Sequence, residues 1–168
     1  MRLFFAVWPP PATAHALGKW AREVQAAAGS RATPEAAIHL TLAFLGEADP
    51  GRAASAARHV AGRAHALPVE QAQYWKHRRI VWAGPREMPA ALATLAGALR
   101  RELEDCGFAL EKREFLAHVT LLRNVRECGA LPALPQLGWP VGEFLLVRSR
   151  TSPQGSRYEP IERFALFA

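Results

Sequence analysis

The spacing of apolar residues predicts three helices. Leu17, Trp20 and Val24 recur at helical intervals between Pro11 and Gly29, residues that suit the first turn and the end of a helix. The other two predicted helices span residues 50–65, after an Asp-Pro cap, and 88–106, where leucines line one face. Each predicted helix is amphipathic and has an apolar face to bury.

Short apolar runs separated by Gly, Pro and polar residues predict the strands. They are expected over 2–7, 38–45, 69–75, 79–83, 108–110, 117–122, 143–150 and 158–167. The sequence "KHRR" should close a hairpin between the third and fourth strands, and "TSPQGS" should close one between the last two. The segment 125–140 is predicted to be a loop rich in Pro and Gly. The chain therefore mixes strands and helices along its length.

A His-x-Thr-Leu tetrad occurs once in each half of the chain, as "HLTL" at 39–42 and "HVTL" at 118–121. Each tetrad lies in a predicted strand, where alternate side chains share a face. His39 and Thr41 therefore point to one side of their strand, as do His118 and Thr120, while their apolar neighbours point to the other side. This repeat suggests a single domain over 1–168 with two pseudo-equivalent lobes, each contributing one strand to a shared cleft.

Composition narrows the class of protein. Half of the 168 residues are hydrophobic, which is enough for a packed core. The net charge of +6 favours an anionic partner such as RNA or a nucleotide, although an arginine-rich composition of genomic origin explains it equally well. Cys106 and Cys128 lie outside any metal-binding or redox pattern and are expected to be reduced thiols. No apolar run has transmembrane length, so we expect a cytoplasmic location. The protein is also expected to be a monomer.

Two tetrads are unlikely to arise by chance. With six His and six Thr in the chain, about 0.2 His-x-Thr triples are expected. A neutral imidazole can take a proton from water while a protonated one gives a proton to a leaving oxygen. Neighbouring hydroxyls can donate hydrogen bonds to the oxygens of a phosphate as charge develops. The pattern therefore favours acid–base hydrolysis of a phosphodiester by His39 and His118.

Other candidate residues give weaker signals. Arg123 could help to hold a phosphate, but an arginine after a strand is often a solvated surface charge. A hairpin turn could stack on a base and contact RNA, although a soluble turn explains its composition more simply. The candidate RNA contacts in this turn are Trp75, Lys76, Arg78 and Arg79.

No metal or cofactor is expected. His59 and His65 lie six residues apart on a predicted helix, so they face different directions and are interpreted as surface residues. In each tetrad a Thr stands where a third metal ligand such as Asp, Glu or Cys would be wanted.

The chain resembles the RNA 2′,3′-cyclic phosphodiesterases of the two-histidine phosphoesterase superfamily, whose signature is a pair of His-x-Thr/Ser-x tetrads about half a chain apart. The similarity to this family extends beyond the tetrads. It includes the opening "RLFFAVWPP", the "LAFLGE" after the first tetrad, Arg123 after the second, and the closing "SRYEPIERFAL". The resemblance covers nearly the whole length of the chain.

This resemblance implies a bilobal α+β fold with pseudo-two-fold symmetry, in which two antiparallel sheets flank a central cleft and the helices lie outside. It also implies hydrolysis of a terminal 2′,3′-cyclic phosphate to a 2′-phosphomonoester, with His39 as proton donor, His118 as proton acceptor, and Thr41 and Thr120 holding the phosphate. Two alternatives are a 2′,5′ RNA ligase and a phosphodiesterase for small cyclic nucleotides such as ADP-ribose cyclic phosphate. A non-catalytic RNA or nucleotide binder is an alternative of another class.

Overall fold

The elements follow one another in an order that alternates single strands, hairpins and helices. The computed structural model describes residues 1–168, apart from the side chain of Ala28. The helices are α1 (Pro11–Ala28), α2 (Pro50–Ala57) and α3 (Ala90–Asp105), with a short 3-10 turn at Glu35–Ala37. The strands are β1 (Arg2–Val7), β2 (Arg31–Ala32), β3 (Leu40–Glu47), β4 (His65–Ala66), β5 (Gln71–Trp75), β6 (Ile80–Gly84), β7 (Val119–Arg123), β8 (Pro140–Val141), β9 (Glu143–Ser152) and β10 (Gly155–Ala165).

Eight of the strands form two antiparallel sheets, one in each lobe, which join along the middle of the molecule into one continuous eight-stranded array. In one lobe the order is β10, β9, β1, β3, and in the other it is β7, β6, β5, with β2 paired to β7. The central strands β3 and β7 join the two sheets through the antiparallel pair Leu40–Val119. The predicted α+β class and the two antiparallel sheets are thereby confirmed. The strands β4 and β8 form a separate small pair.

The helices pack on the face of the sheets that is turned away from the cleft. Buried residues of all three helices share one core with alternate residues of the strands in both lobes. Local sequence sets the limits of the helices: Pro11 starts α1, Gly29 ends it with a φ of 59°, and the Asp49 carboxylate accepts a hydrogen bond from the Arg52 N–H at 2.8 Å. A smaller apolar cluster lies on the cleft face of the first lobe and consists of Phe4, Ala6, Leu145 and Val147.

The second helix is shorter than the sequence pattern predicts. It ends at Ala57 instead of about residue 65, so the expectation that His59 and His65 share a helix is wrong. His65 lies in β4 and pairs with Val141. The intervening chain turns back to the C-terminal segment, where the Phe167 N–H donates to the Gly62 carbonyl at 2.8 Å. Long-range pairing therefore overrides the local helical preference of this alanine-rich segment.

One other prediction needs correction, and four short elements were not predicted. The segment 108–110 is not a strand, because Phe108 instead packs under the Arg52 guanidinium, 5.0 Å from the ring centre. The strands β2, β4 and β8 and the 3-10 turn were not predicted, since two- and three-residue elements leave no periodic signal. No helix in the described part of the chain is long and apolar enough to span a membrane.

Candidate active site

The register of the central strands brings the two tetrads together. Leu40 and Val119, the middle residues of the two His-x-Thr triples, pair with each other and are fully buried in the core. Antiparallel pairing about this point directs His39 toward Thr120 and Thr41 toward His118. Because side chains alternate along a strand, these four polar residues lie on the opposite face from the core. All four line one cleft of about 480 Å³.

Each histidine is held by a backbone carbonyl two residues before it. His39 Nδ1 lies 2.7 Å from the Ala37 oxygen, and His118 Nδ1 lies 2.9 Å from the Leu116 oxygen. A carbonyl can only accept a hydrogen bond, so Nδ1 carries the proton in both rings. The Nε2 atoms are therefore the nitrogens available for chemistry, and that of His39 lies 3.1 Å from Thr41 Oγ1.

Aromatic residues surround His39 on one side of the cleft. Trp8 stacks on its ring at 4.7 Å between centroids, while Tyr158 meets the ring edge-on at 5.1 Å and Phe4 lies at 5.1 Å. These three residues were not predicted to lie at the site, although they belong to the terminal segments that resemble the family. This packing holds the imidazole in place and shields much of it from water.

Aromatic residues also surround His118 on the other side. Trp75 lies 5.1 Å from its ring and Trp82 lies 6.4 Å away, nearly perpendicular to it. Trp82 pairs with Thr120 across β6 and β7, so the two side chains share the cleft face. Each imidazole therefore has its own aromatic setting, supplied by its own lobe.

Burial is the main cause of the altered titration of both histidines. It lowers the pKa of His39 from 6.5 to about 4; the hydrogen bond to Ala37 opposes this effect, and the charges of Arg123 and His118 add to it. Burial also lowers the pKa of His118, again opposed by the bond to Leu116 and reinforced by Arg123. Both imidazoles are therefore neutral near pH 7 in the free protein.

Three arginines give the cleft its positive charge. Arg31, Arg78 and Arg123 line it, and no Asp or Glu side chain is among the described residues that do so. Arg31 and Arg123 are register partners of β2 and β7, and the Arg78 guanidinium lies 5.5 Å from the centre of the Trp75 ring. This arrangement suits a phosphate, which guanidinium groups bind through charge-assisted hydrogen bonds.

The remaining residues that were predicted to contact RNA differ in whether they line the cleft. Lys76 and Arg79 are exposed in the predicted turn between β5 and β6 and do not line the cleft, whereas Arg78 of the same turn does. Arg31 was missed because it lies in a segment without a periodic pattern. In the described part of the chain, no group of three or more His, Cys, Asp or Glu residues could hold a metal ion, and Cys106 and Cys128 are free thiols.

Comparison with known proteins identifies the family. A model of the LigT-like phosphoesterases matches residues 7–82. The chain is 34% identical, over 98% of its length, to an RNA 2′,3′-cyclic phosphodiesterase of Escherichia coli, of which it covers 96%. It is 32% identical to the protein of the same name from Thermus thermophilus, with 99% of this chain and 90% of that protein covered.

The fold also matches that of solved phosphoesterase structures. The crystal structure of E. coli LigT complexed with 3′-AMP matches with a TM-score of 0.91 at 31% identity, covering 98% of this chain and 97% of that one. The chain belongs to the LigT-like phosphoesterase family, which confirms the resemblance seen in its two tetrads.

Proposed function

We propose that the protein hydrolyses RNA ends that carry a 2′,3′-cyclic phosphate to 2′-phosphomonoesters, without a metal ion. One observation carries the proposal: two imidazoles with their Nδ1 atoms tied to backbone carbonyls face a cleft lined by three arginines and no carboxylate. The names of the E. coli and T. thermophilus relatives support the reaction, and the 3′-AMP complex of E. coli LigT supports a nucleotide as the occupant of the cleft.

In this mechanism the two histidines act on opposite sides of the phosphorus. His118 Nε2 accepts a proton from water as the new bond between the water oxygen and phosphorus forms. His39 Nε2 donates a proton to the ribose O3′ as the P–O3′ bond breaks, which leaves the phosphate on O2′. Thr41 and Thr120 donate hydrogen bonds to the non-bridging oxygens, and Arg123 balances their charge.

The donor role requires a proton on His39, which its burial disfavours. A cyclic phosphate is a monoanion, and an opposite charge close to an imidazole raises its pKa. We infer that the substrate itself promotes protonation of His39 when it binds. The pH optimum of kcat, which reports the bound state, should therefore lie above that of kcat/KM, which reports the free protein.

The surroundings of the cleft favour RNA over a smaller molecule. Trp75 and Arg78 border the site and offer a stacking surface and a phosphate ligand. Lys76 and Arg79 lie in the same turn and would contact RNA outside the cleft. A monomeric state and a cytoplasmic location stay predictions from the sequence.

The proposal is tested by incubating the protein with 2′,3′-cyclic AMP and separating 2′-AMP from 3′-AMP by chromatography. We expect 2′-AMP, and a loss of rate on the order of 10²–10⁴-fold in His39→Ala and in His118→Ala. His59→Ala, which changes an exposed histidine outside the cleft, is the matched control. Formation of 3′-AMP would contradict the assigned bond cleavage, and binding without turnover would indicate the non-catalytic alternative.

The two enzymatic alternatives require different substrates. A ligase would join the cyclic-phosphate end to an RNA with a free 5′-hydroxyl. An enzyme for small molecules would prefer ADP-ribose cyclic phosphate to an oligonucleotide. Measuring kcat/KM for all three substrates in parallel distinguishes these activities.

A further inference from the structure

A second cavity of about 420 Å³ opens from the cleft beside His118. It shares Thr41, Arg78 and His118 with the cleft, so the two spaces are continuous. It is bounded by Phe44 of β3, the carboxyl end of β5, α3 and the segment 110–116. We call this space the groove.

The groove lies at the open end of the cleft. At the carboxyl end of β7, the backbone of Arg123 is paired in register with that of Arg31 in β2. The Arg31 guanidinium donates a hydrogen bond to the Gln154 carbonyl at 3.2 Å and so bridges the two lobes. Gly155, with a φ of 119°, leaves room for this bridge, since a Cβ there would lie 3.0 Å from the arginine. His118 lies at the other end of β7, where the groove begins. The groove is therefore at the end of the cleft that this bridge does not cross.

The lining of the groove suits a nucleobase. Phe44 and Leu116 are 49% and 54% exposed, and both face this one space, where they form part of an exposed apolar patch. Trp75 and Phe115 add two more aromatic rings. Aromatic rings bind bases by stacking, irrespective of sequence.

One arginine of the groove stands at its junction with the cleft. Arg78, Arg100 and Arg113 line it, together with the carboxylates of Glu111 and Glu114. Arg113 is paired with Glu111 at 2.8 Å and Arg100 with Glu104 at 2.9 Å, so Arg78 is the arginine of the groove that has no carboxylate partner. Arg78 lies where the groove meets the cleft, the position of a phosphate that links a nucleotide in one space to a nucleotide in the other.

We propose that the groove binds the base of the nucleotide that precedes the cyclic-phosphate end, and that Arg78 holds the phosphate between the two nucleotides. The inference rests on the proposed function and adds a specificity subsite to it. The enzyme then prefers an oligonucleotide to a cyclic mononucleotide, because only the oligonucleotide reaches the groove.

The test compares kcat/KM for 2′,3′-cyclic AMP with kcat/KM for the dinucleotide ApA ending in a 2′,3′-cyclic phosphate. The dinucleotide should be favoured by about 5- to 150-fold, the range for one stacked base. Phe44→Ser should lower this ratio by reducing the rate on the dinucleotide. Phe167→Ser, which changes another exposed phenylalanine away from the groove, is the matched control and should keep the ratio.

A substrate change repeats the test without any change to the protein. A dinucleotide with an abasic ribose at the first position should lose the same advantage with the wild-type protein, and Phe44→Ser should cause no further loss on it. Equal kcat/KM for the mononucleotide and the dinucleotide would overturn the groove assignment while leaving the proposed function intact. An equal loss on both substrates in Phe44→Ser would also overturn it, because the terminal base would then occupy the groove. No turnover of either substrate would refute the proposed function, and the groove assignment with it.

Discussion

Lowering the pH from 7 to 4.5 should destabilise the folded protein through His39. Its pKa falls from 6.5 to about 4 on folding, mainly because the ring is buried. The unfolded chain therefore takes up this proton first, and stability is lost as the pH falls through the window between 6.5 and about 4. Integrated over that change of pH, the linkage costs the folded state about 2 kcal/mol.

The effect is measured by urea unfolding of the wild type and of His39→Gln at pH 7, 5.5 and 4.5. The glutamine does not titrate, so the wild type should lose about 2 kcal/mol more than the variant over this range. His118 also has a lowered pKa, but it is present in both proteins and its contribution largely cancels in the difference. His59→Gln, at an exposed position, should follow the wild type. Parallel loss of stability in the wild type and His39→Gln would refute the reasoning.

Three further predictions concern catalysis. Hydrolysis of 2′,3′-cyclic AMP should survive excess EDTA, and a loss of activity that zinc or manganese restores would contradict the metal-free mechanism. Thr41→Val and Thr120→Val should each cost about 2.7–4 kcal/mol of transition-state stabilisation if the hydroxyls act as oxyanion donors, whereas wild-type rates in the double variant would remove them from the mechanism. His39→Ala should recover substantially on a nitrophenyl ester of a ribonucleoside phosphate, whose leaving group needs no acid, while His118→Ala should not; the opposite pattern would exchange their roles.

The sequence predicted the elements whose signals are local. Leucine spacing located α3, the "KHRR" turn joins β5 to β6 as expected, and each tetrad lies at the start of a central strand. The tetrads also pointed to a shared cleft, because their repetition is itself visible in the sequence. The elements depend on neighbouring residues, and the shared cleft on a repeat that can be seen without knowing the fold.

The rest of the site depends on contacts between distant parts of the chain. No local pattern indicates that Leu40 pairs with Val119, or that Arg31 comes to lie beside Arg123. Tyr158 reaches His39 because the long hairpin of β9 and β10 carries it there, from a position more than a hundred residues away in sequence. The early end of α2 also depends on distant contacts, since the residues that follow the helix pair with the C-terminal segment.

The carbonyl contacts of the two histidines affect how each catalytic cycle must end. Under the proposed mechanism, one turnover leaves His39 neutral and His118 charged, which is the reverse of the starting state. A proton shift between the two nitrogens of one ring cannot restore that state, because it leaves the charge of the ring unchanged, and Nδ1 of each ring stays bonded to Ala37 or Leu116. The protein that has just released product is therefore in the form suited to closing a 2′-phosphate into a ring. Proton exchange with the solvent must return it to the hydrolytic form before the next substrate reacts.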